Sequence, residues 1–245
     1  MGGTILKRLT PFVALDVATK EDAVALLDQL TVTPKPFIKV GMELFYHFGP
    51  EIVKTVQDRG FDVFLDLKLY DIPNTVKRAM TAIGRLGVAF TTIHAAGGSE
   101  MLKAGKAGLD AGAQAAGLPA PKLLAITQLT SIDETILRDE QHVALSLIES
   151  VQNYAHLAAQ CGLDGVICSA QELSAIRQVV GDDFWCITPG IRPEINHDDD
   201  QKRVVTPAQA RELGSNGIVV GRPITQNADP AAAYQAIQRA FMEAN

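Results

Sequence analysis

Much that would mark a specialised environment is missing from these 245 residues. No apolar run approaches the ~20 residues needed to cross a bilayer, so a membrane-spanning protein is not expected. Cysteine is scarce: Cys161, Cys168 and Cys186 are an odd number and form no C-x-x-C pair. That pattern excludes a disulfide framework and a thiolate zinc site, and the three read as buried thiols in a reducing compartment. Positive charge is not in excess either. With 22 Lys+Arg against 28 Asp+Glu the formal net charge is −6, which argues against non-specific nucleic-acid binding. The opening MGGTILKRLTPF lacks a signal-peptide h-region, so a cytoplasmic location is expected. No G-x-G-x-x-G follows the first apolar run and no H-E-x-x-H occurs. Neither a dinucleotide nor a metal is called for, and the expectation is a protein without cofactor. No linker, low-complexity tract or composition shift divides the chain, which reads as one domain over 1–245.

What is present is a rhythm. Short β-branched, apolar runs recur at 12–16, 37–40, 63–68, 89–95, 123–127, 165–169, 185–188 and 217–220. Between them the apolar period changes from strand-like to helical. Ala23, Leu26, Leu27 and Leu30 repeat at i, i+3, i+4, i+7, and Val76, Met80, Ile83 and Leu147, Val151, Tyr154 follow the same spacing. Gly60, Gly87, Gly162, Gly181 and Gly214 stand where left-handed C-caps would close helices. Thr206-Pro207 and Asp229-Pro230 suit an N-cap followed by proline in the first turn. Eight alternations of strand and helix point to a parallel sheet closed as a (β/α)8 TIM barrel, with a doubly wound open sheet as the alternative. Two stretches, 128–143 and 189–205, exceed ordinary loop length. Both leave the C-terminal ends of strands, where barrel proteins build their sites.

The run VFLDLKLYDIP (63–73) then breaks the apolar rule that a doubly covered parallel strand obeys. Alternation puts Asp66 and Lys68 on one face and Leu65 and Leu67 on the other. In a barrel the leucines would meet the helices and the charges would point inward near the top. Lys39 belongs to the neighbouring strand, only about 4.8 Å away, so a Lys-Asp-Lys cluster is expected at the barrel mouth. A structural ion pair is the bland alternative, but unpaired buried charge is costly and apolar replacements are often as stable. Asp71 lies just past the strand, where a solvated loop position is the simplest reading.

DLKLYDIPNTV (66–76) resembles the orotidine 5'-phosphate decarboxylase family, in its bacterial single-domain form. Further blocks are similar in order along nearly the whole chain: ALD (14–16), IKVG (38–41), HAAGG (94–98), LTS (129–131), PGIRP (189–193), DDQKR (199–203) and GRPIT (221–225). Tyr70 departs from the histidine that many bacterial members carry there. The resemblance implies a TIM barrel that converts orotidine 5'-monophosphate (OMP) to uridine 5'-monophosphate (UMP) in pyrimidine biosynthesis, without cofactor, as a homodimer.

It also implies roles. Lys68 would sit by pyrimidine C6 and deliver the proton. Asp66 would lie against the substrate carboxylate, and Lys39 would hold Asp66 and a ribose hydroxyl. Asp71, with Thr75, would reach the partner subunit's active site. Asp16 would bind the ribose, and Thr130 and Ser131 the pyrimidine edge. Arg192, Gln201, Gly221 and Arg222 would grip the phosphate.

Other candidates fit less well. His94 ends strand four and could touch the site or simply be packed; His47, among aromatics, reads as structural. The acidic run HDDD (197–200) resembles a metal cluster, but consecutive loop residues cannot all face one ion. The rival function is an Mg-dependent sugar-phosphate aldolase or decarboxylase of the hexulose-phosphate synthase type, with a Schiff-base lyase and an idle nucleotide-binding barrel behind it.

Overall fold

The computed structural model describes residues 7–193 and 204–243. Parallel strands β1 (Phe12–Ala14), β2 (Phe37–Gly41), β3 (Val63–Leu69), β4 (Phe90–His94), β5 (Lys122–Ile126), β6 (Gly165–Ile167), β7 (Trp185–Thr188) and β8 (Gly217–Val220) pair in sequence order. β8 returns to β1, so the barrel is closed. Each expected run contains a strand, with ends differing by two residues or fewer. The open-sheet alternative is thereby ruled out.

The covering helices are α1 (Lys20–Gln29), α2 (Met42–Phe48), α3 (Glu51–Gln57), α4 (Pro73–Gly84), α5 (Gly98–Ala115) and α6 (Leu147–Gln160). They are followed by α7 (Leu173–Arg177), α8 (Pro207–Glu212), α9 (Arg222–Thr225) and α10 (Pro230–Met242). Their inner faces carry the residues that the helical spacing singled out, among them Ala23, Leu27, Met80 and Val151. Thr206 and Asp229 cap α8 and α10, each with proline in the first turn. Of the five expected C-cap glycines, Gly60, Gly87, Gly162 and Gly214 have positive φ, and Gly181 does not. The reason lies in Arg177, whose guanidinium donates to the Gly181 and Phe184 carbonyls. With that cation tying the segment, α7 ends without a left-handed residue at 181.

Inside the barrel the side chains form two layers. The lower one is aromatic: Phe12 stacks on Phe37 at 5.0 Å and meets Phe64 and Phe90 edge-on at 5.5 and 5.3 Å. Two residues further along each strand the inward position is Ala14, Lys39, Asp66 or Thr92. The apolar floor thus supports a polar layer at the C-terminal mouth. Leu65 and Leu67 point the other way into the strand–helix core, as alternation required.

α4 and α5 approach more closely than any side chain would allow. A Cβ at Gly108 would lie 2.2 Å from the Lys77 carbonyl oxygen, one at Gly112 2.1 Å from that of Thr81, and one at Gly84 2.3 Å from that of Leu109. This glycine seam fixes α4, whose first turn follows directly on the Asp71 loop.

Gly108→Ala should therefore cost roughly 2 kcal/mol or more, because backbone and not a flexible side chain must give way. Gly181→Ala, with nothing within 4 Å of its would-be Cβ, should be neutral or stabilise by about 0.4–1 kcal/mol. Urea unfolding of both variants checks the contrast. A neutral Gly108→Ala would show that the seam is loose.

Candidate active site

A cavity of about 410 Å³ opens at the C-terminal mouth. Its wall gathers residues from seven of the eight strands or the loops that follow them, which only a closed barrel brings together. Four of them form a chain of alternating charge. Lys39 Nζ lies 3.4 Å from Asp16 Oδ1 and 3.9 Å from Asp66 Oδ2, and Lys68 Nζ lies 2.8 Å from the same Asp66 oxygen. The Asp66 and Lys39 side chains are only 12% and 13% accessible, while Lys68 is 29% and Asp16 59%. Two cations and two anions cancel, which is how so many charges sit in one place. The chain still ends in an accessible ammonium with its partner behind it.

The backbone aims that ammonium. Register between β3 and β4 shifts between Leu65 and Leu69, and within the shift Lys68 has φ +51°, a left-handed conformation that lysine rarely adopts. Such a conformation costs on the order of 1–2 kcal/mol and persists only when its surroundings hold it. Here the Lys68 N–H donates to Thr92 Oγ1 at 2.9 Å, and the same hydroxyl donates to Asp66 Oδ1, also at 2.9 Å. Thr92 is fully buried. Sequence reasoning passed over it because a threonine in FTTIH reads as an ordinary β-branched strand residue; its inward register, two positions after Phe90, was the available signal.

Asp16, Lys39, Asp66, Lys68, Thr130, Ser131, Arg192, Gly221 and Arg222 all line the cavity. The loop from 128 to 146 supplies Thr130 and Ser131 at one side. It starts from Gln128, a buried lining residue that the sequence did not flag, whose amide donates to Ser150 Oγ on α6 at 3.0 Å. The loop also contains a π-helical turn, Ile136–Glu140. On the other side, a parallel bridge between Ile191 and Val205 pins the base of the 189–205 segment, and the Arg192 N–H donates to Val205 O at 3.0 Å. Gly221 precedes α9, and a Cβ there would meet only ordinary contacts within the protein. The room it leaves is room in the cavity.

Asp71 and Thr75 do not join this group. Both are exposed, and Asp71 Oδ1 accepts the Ile72 N–H at 2.6 Å. The flanking Tyr70 and Ile72 are 64% and 67% exposed, unusual for large apolar side chains. Gln201 and the HDDD run lie outside the described residues. His47 is exposed at the end of α2, with its ring tilted against Phe48. The three thiols are buried and free. His94 is half-buried with its ring 5.6 Å from that of Tyr70, and its Nδ1 has no partner among the described residues. Burial, and secondarily the Lys68 ammonium, pull its pKa below the usual histidine value. It therefore stands neutral near pH 7, adding no charge beside Lys68.

A family model described as "Orotidine 5'-phosphate decarboxylase / HUMPS family" matches residues 10–237. An orotidine 5'-phosphate decarboxylase from Lactiplantibacillus plantarum is 59% identical over 225 residues, covering 92% of this chain and 95% of the relative. One from Latilactobacillus sakei subsp. sakei is 57% identical over 226 residues, with the same coverage of 92% and 95%. The crystal structure of orotidine 5'-phosphate decarboxylase from Lactobacillus acidophilus superposes with a TM-score of 0.85 at 47% identity, covering 95% of this chain and 99% of that one.

Because the folded state resists protonating His94, its contribution leaves stability unchanged above the ordinary value of 6.5 and lowers it as pH falls below that. The ring should titrate below that value in an NMR pH series. In Lys68→Ala its pKa should rise part of the way back, since burial, the larger cause, remains. An unchanged titration would mean that the ammonium does not face the ring.

Proposed function

The chain belongs to the orotidine 5'-phosphate decarboxylase / HUMPS family, and we infer that it converts OMP to UMP and CO2. The observation that carries the residue-level reading is the neutral Asp16–Lys39–Asp66–Lys68 chain, with its free end exposed to the cavity and Arg192 and Arg222 on the same wall. Nothing among the relatives favours the magnesium-dependent aldolase alternative.

In this reading the C6–carboxylate bond breaks heterolytically. The electron pair stays on C6 and CO2 departs. The carbanion is not delocalised into the ring, so an adjacent cation is its main stabiliser. At an effective dielectric near 20, two unit charges about 4 Å apart gain roughly 4 kcal/mol, about a thousandfold in rate. Lys68 supplies that charge and then gives a proton to C6, leaving a neutral amine to be reprotonated from water. Asp66 faces the substrate carboxylate and keeps Lys68 aligned, and Lys39 neutralises Asp66. Asp16 takes the ribose, Thr130 and Ser131 the pyrimidine, and Arg192, Gly221, Arg222 and Gln201 the phosphate. Gly221 supports this assignment because it lines the cavity and carries no side chain to fill it.

We read the whole chain as one unit, since α10 sends Tyr234, Ile237 and Phe241 into the same core as α1. We also propose a homodimer that completes each site. Asp71 sits on an exposed loop and Thr75 on the exposed first turn of α4, beside Tyr70 and Ile72, apolar surface that suits a second copy. A cytoplasmic location agrees with the free thiols. Among the described residues no helix is long and apolar enough to cross a membrane.

Loss of OMP absorbance with purified protein in EDTA tests the reaction; activity should persist at the level seen without chelator. Activity that vanished and returned with Mg2+ would favour the aldolase alternative instead.

Subunit exchange tests the shared site. Lys68→Ala and Asp71→Ala homodimers should each be severely impaired. Mixed in equal amounts, half the dimers are heterodimers and half of their sites regain both residues, so activity should recover to about a quarter of wild type. A mixture that exchanges subunits yet stays inactive would refute the arrangement.

A further inference from the structure

We propose that Thr92 is a positioning residue for the decarboxylation, setting Asp66 and Lys68 through a single hydroxyl. The proposal rests on the decarboxylase reading and adds to it a residue outside the charged chain. The Thr92 side chain is fully buried, and its Oγ1 stands between two groups that the chemistry needs. It has one proton to give, and gives it to Asp66 Oδ1 at 2.9 Å; it has lone pairs to offer, and accepts the Lys68 N–H at 2.9 Å.

Both bonds answer a need created by the strand. The register shift between Leu65 and Leu69 takes the Lys68 N–H away from its β4 carbonyl partner. A buried N–H without a partner is costly, so something on β4 must accept it. At the same time the left-handed φ of +51° at Lys68 needs an anchor to persist. Thr92 provides both, and its β-branch restricts χ1 so that the hydroxyl stays in place.

The consequence for Asp66 is a fixed carboxylate plane. Oδ1 is held by Thr92, while Oδ2 faces Lys68 Nζ at 2.8 Å and Lys39 Nζ at 3.9 Å. Held at Oδ1, the carboxylate keeps Oδ2 turned toward the Lys68 ammonium, which stays aimed. A threonine that merely completed the sheet would bond to backbone alone, as its neighbour Thr91 does through Leu65 O. Thr92 instead joins the backbone of one reacting residue to the side chain of the other.

The test compares kcat and KM of wild type, Thr92→Val, Thr92→Ser and Thr92→Cys on OMP, with thermal unfolding alongside. Valine keeps the shape and removes the hydroxyl. It should lower kcat about 10- to 100-fold, the range expected for losing a hydrogen bond to an ionised group. KM should change by no more than about threefold, because the binding residues are untouched. Serine should restore kcat to within about threefold of wild type. A Thr92→Val enzyme within about threefold of wild-type kcat would overturn the proposal. So would a folded Thr92→Ser enzyme as impaired as the valine variant, which would make volume the cause. If valine prevents folding, Thr92→Cys decides: its weak donor should give the same kcat loss at constant KM in smaller measure, and full activity overturns the role. Wild-type protein that fails to turn over OMP sinks the decarboxylase reading itself. An active wild type beside an equally active valine variant sinks only the role of Thr92.

Discussion

The carboxylate of Asp66 is the constraint around which the barrel mouth is built. An aspartate with so little exposure is tolerable only when each oxygen is occupied, and here one meets Thr92 and the other faces two ammonium groups. Those partners come from β2, β3 and β4, so satisfying one side chain sets the relative placement of three neighbouring strands. Removing any partner would leave charge or a donor stranded in a place water reaches poorly. The bulge at Lys68, the fully buried threonine and the short Lys68–Asp66 contact all follow from this requirement.

Beneath that polar layer the strands return to ordinary packing. Four phenylalanine rings close the lower barrel, and the outward leucines of β3 join the shell beneath the helices. The site is therefore a polar patch mounted on a rigid apolar base, which allows charges to be held without water reorganising around them. The glycine seam adds the same stiffness outside the sheet, locking α4 to α5 so that the loop carrying Asp71 starts from a fixed point.

Much of this was legible in the sequence because it appears as broken periodicity. Asp66 and Lys68 violate the apolar rule for a buried strand, and alternation alone assigned them to the inner face. The eight strands were equally plain. What stayed hidden does not alter residue type. Thr92 looks like any strand threonine, and nothing about lysine announces a positive φ. Gly105, Gly108 and Gly112 at i, i+3, i+7 could have signalled the seam, since helix glycines on one face imply close backbone approach. Gly181 misled in the opposite sense: a glycine after a helix suggests a left-handed cap, but the Arg177 guanidinium already ties down the carbonyls there. Asp71 and Thr75 lie apart from the cavity, as residues must if they serve a neighbour, so a single chain leaves their place to the dimer proposal.

The aromatic floor also governs traffic. With Phe12, Phe37, Phe64 and Phe90 filling the bottom of the barrel, the cavity is a blind alley whose entrance is its exit. On the decarboxylase reading, carbon dioxide would be set free beside Lys68, and among the described residues the aromatic floor closes the way below it. It must slip past the pyrimidine and ribose, small and uncharged, while the phosphate is still gripped near the rim. On that reading the gas would leave first and the nucleotide last, by the same mouth.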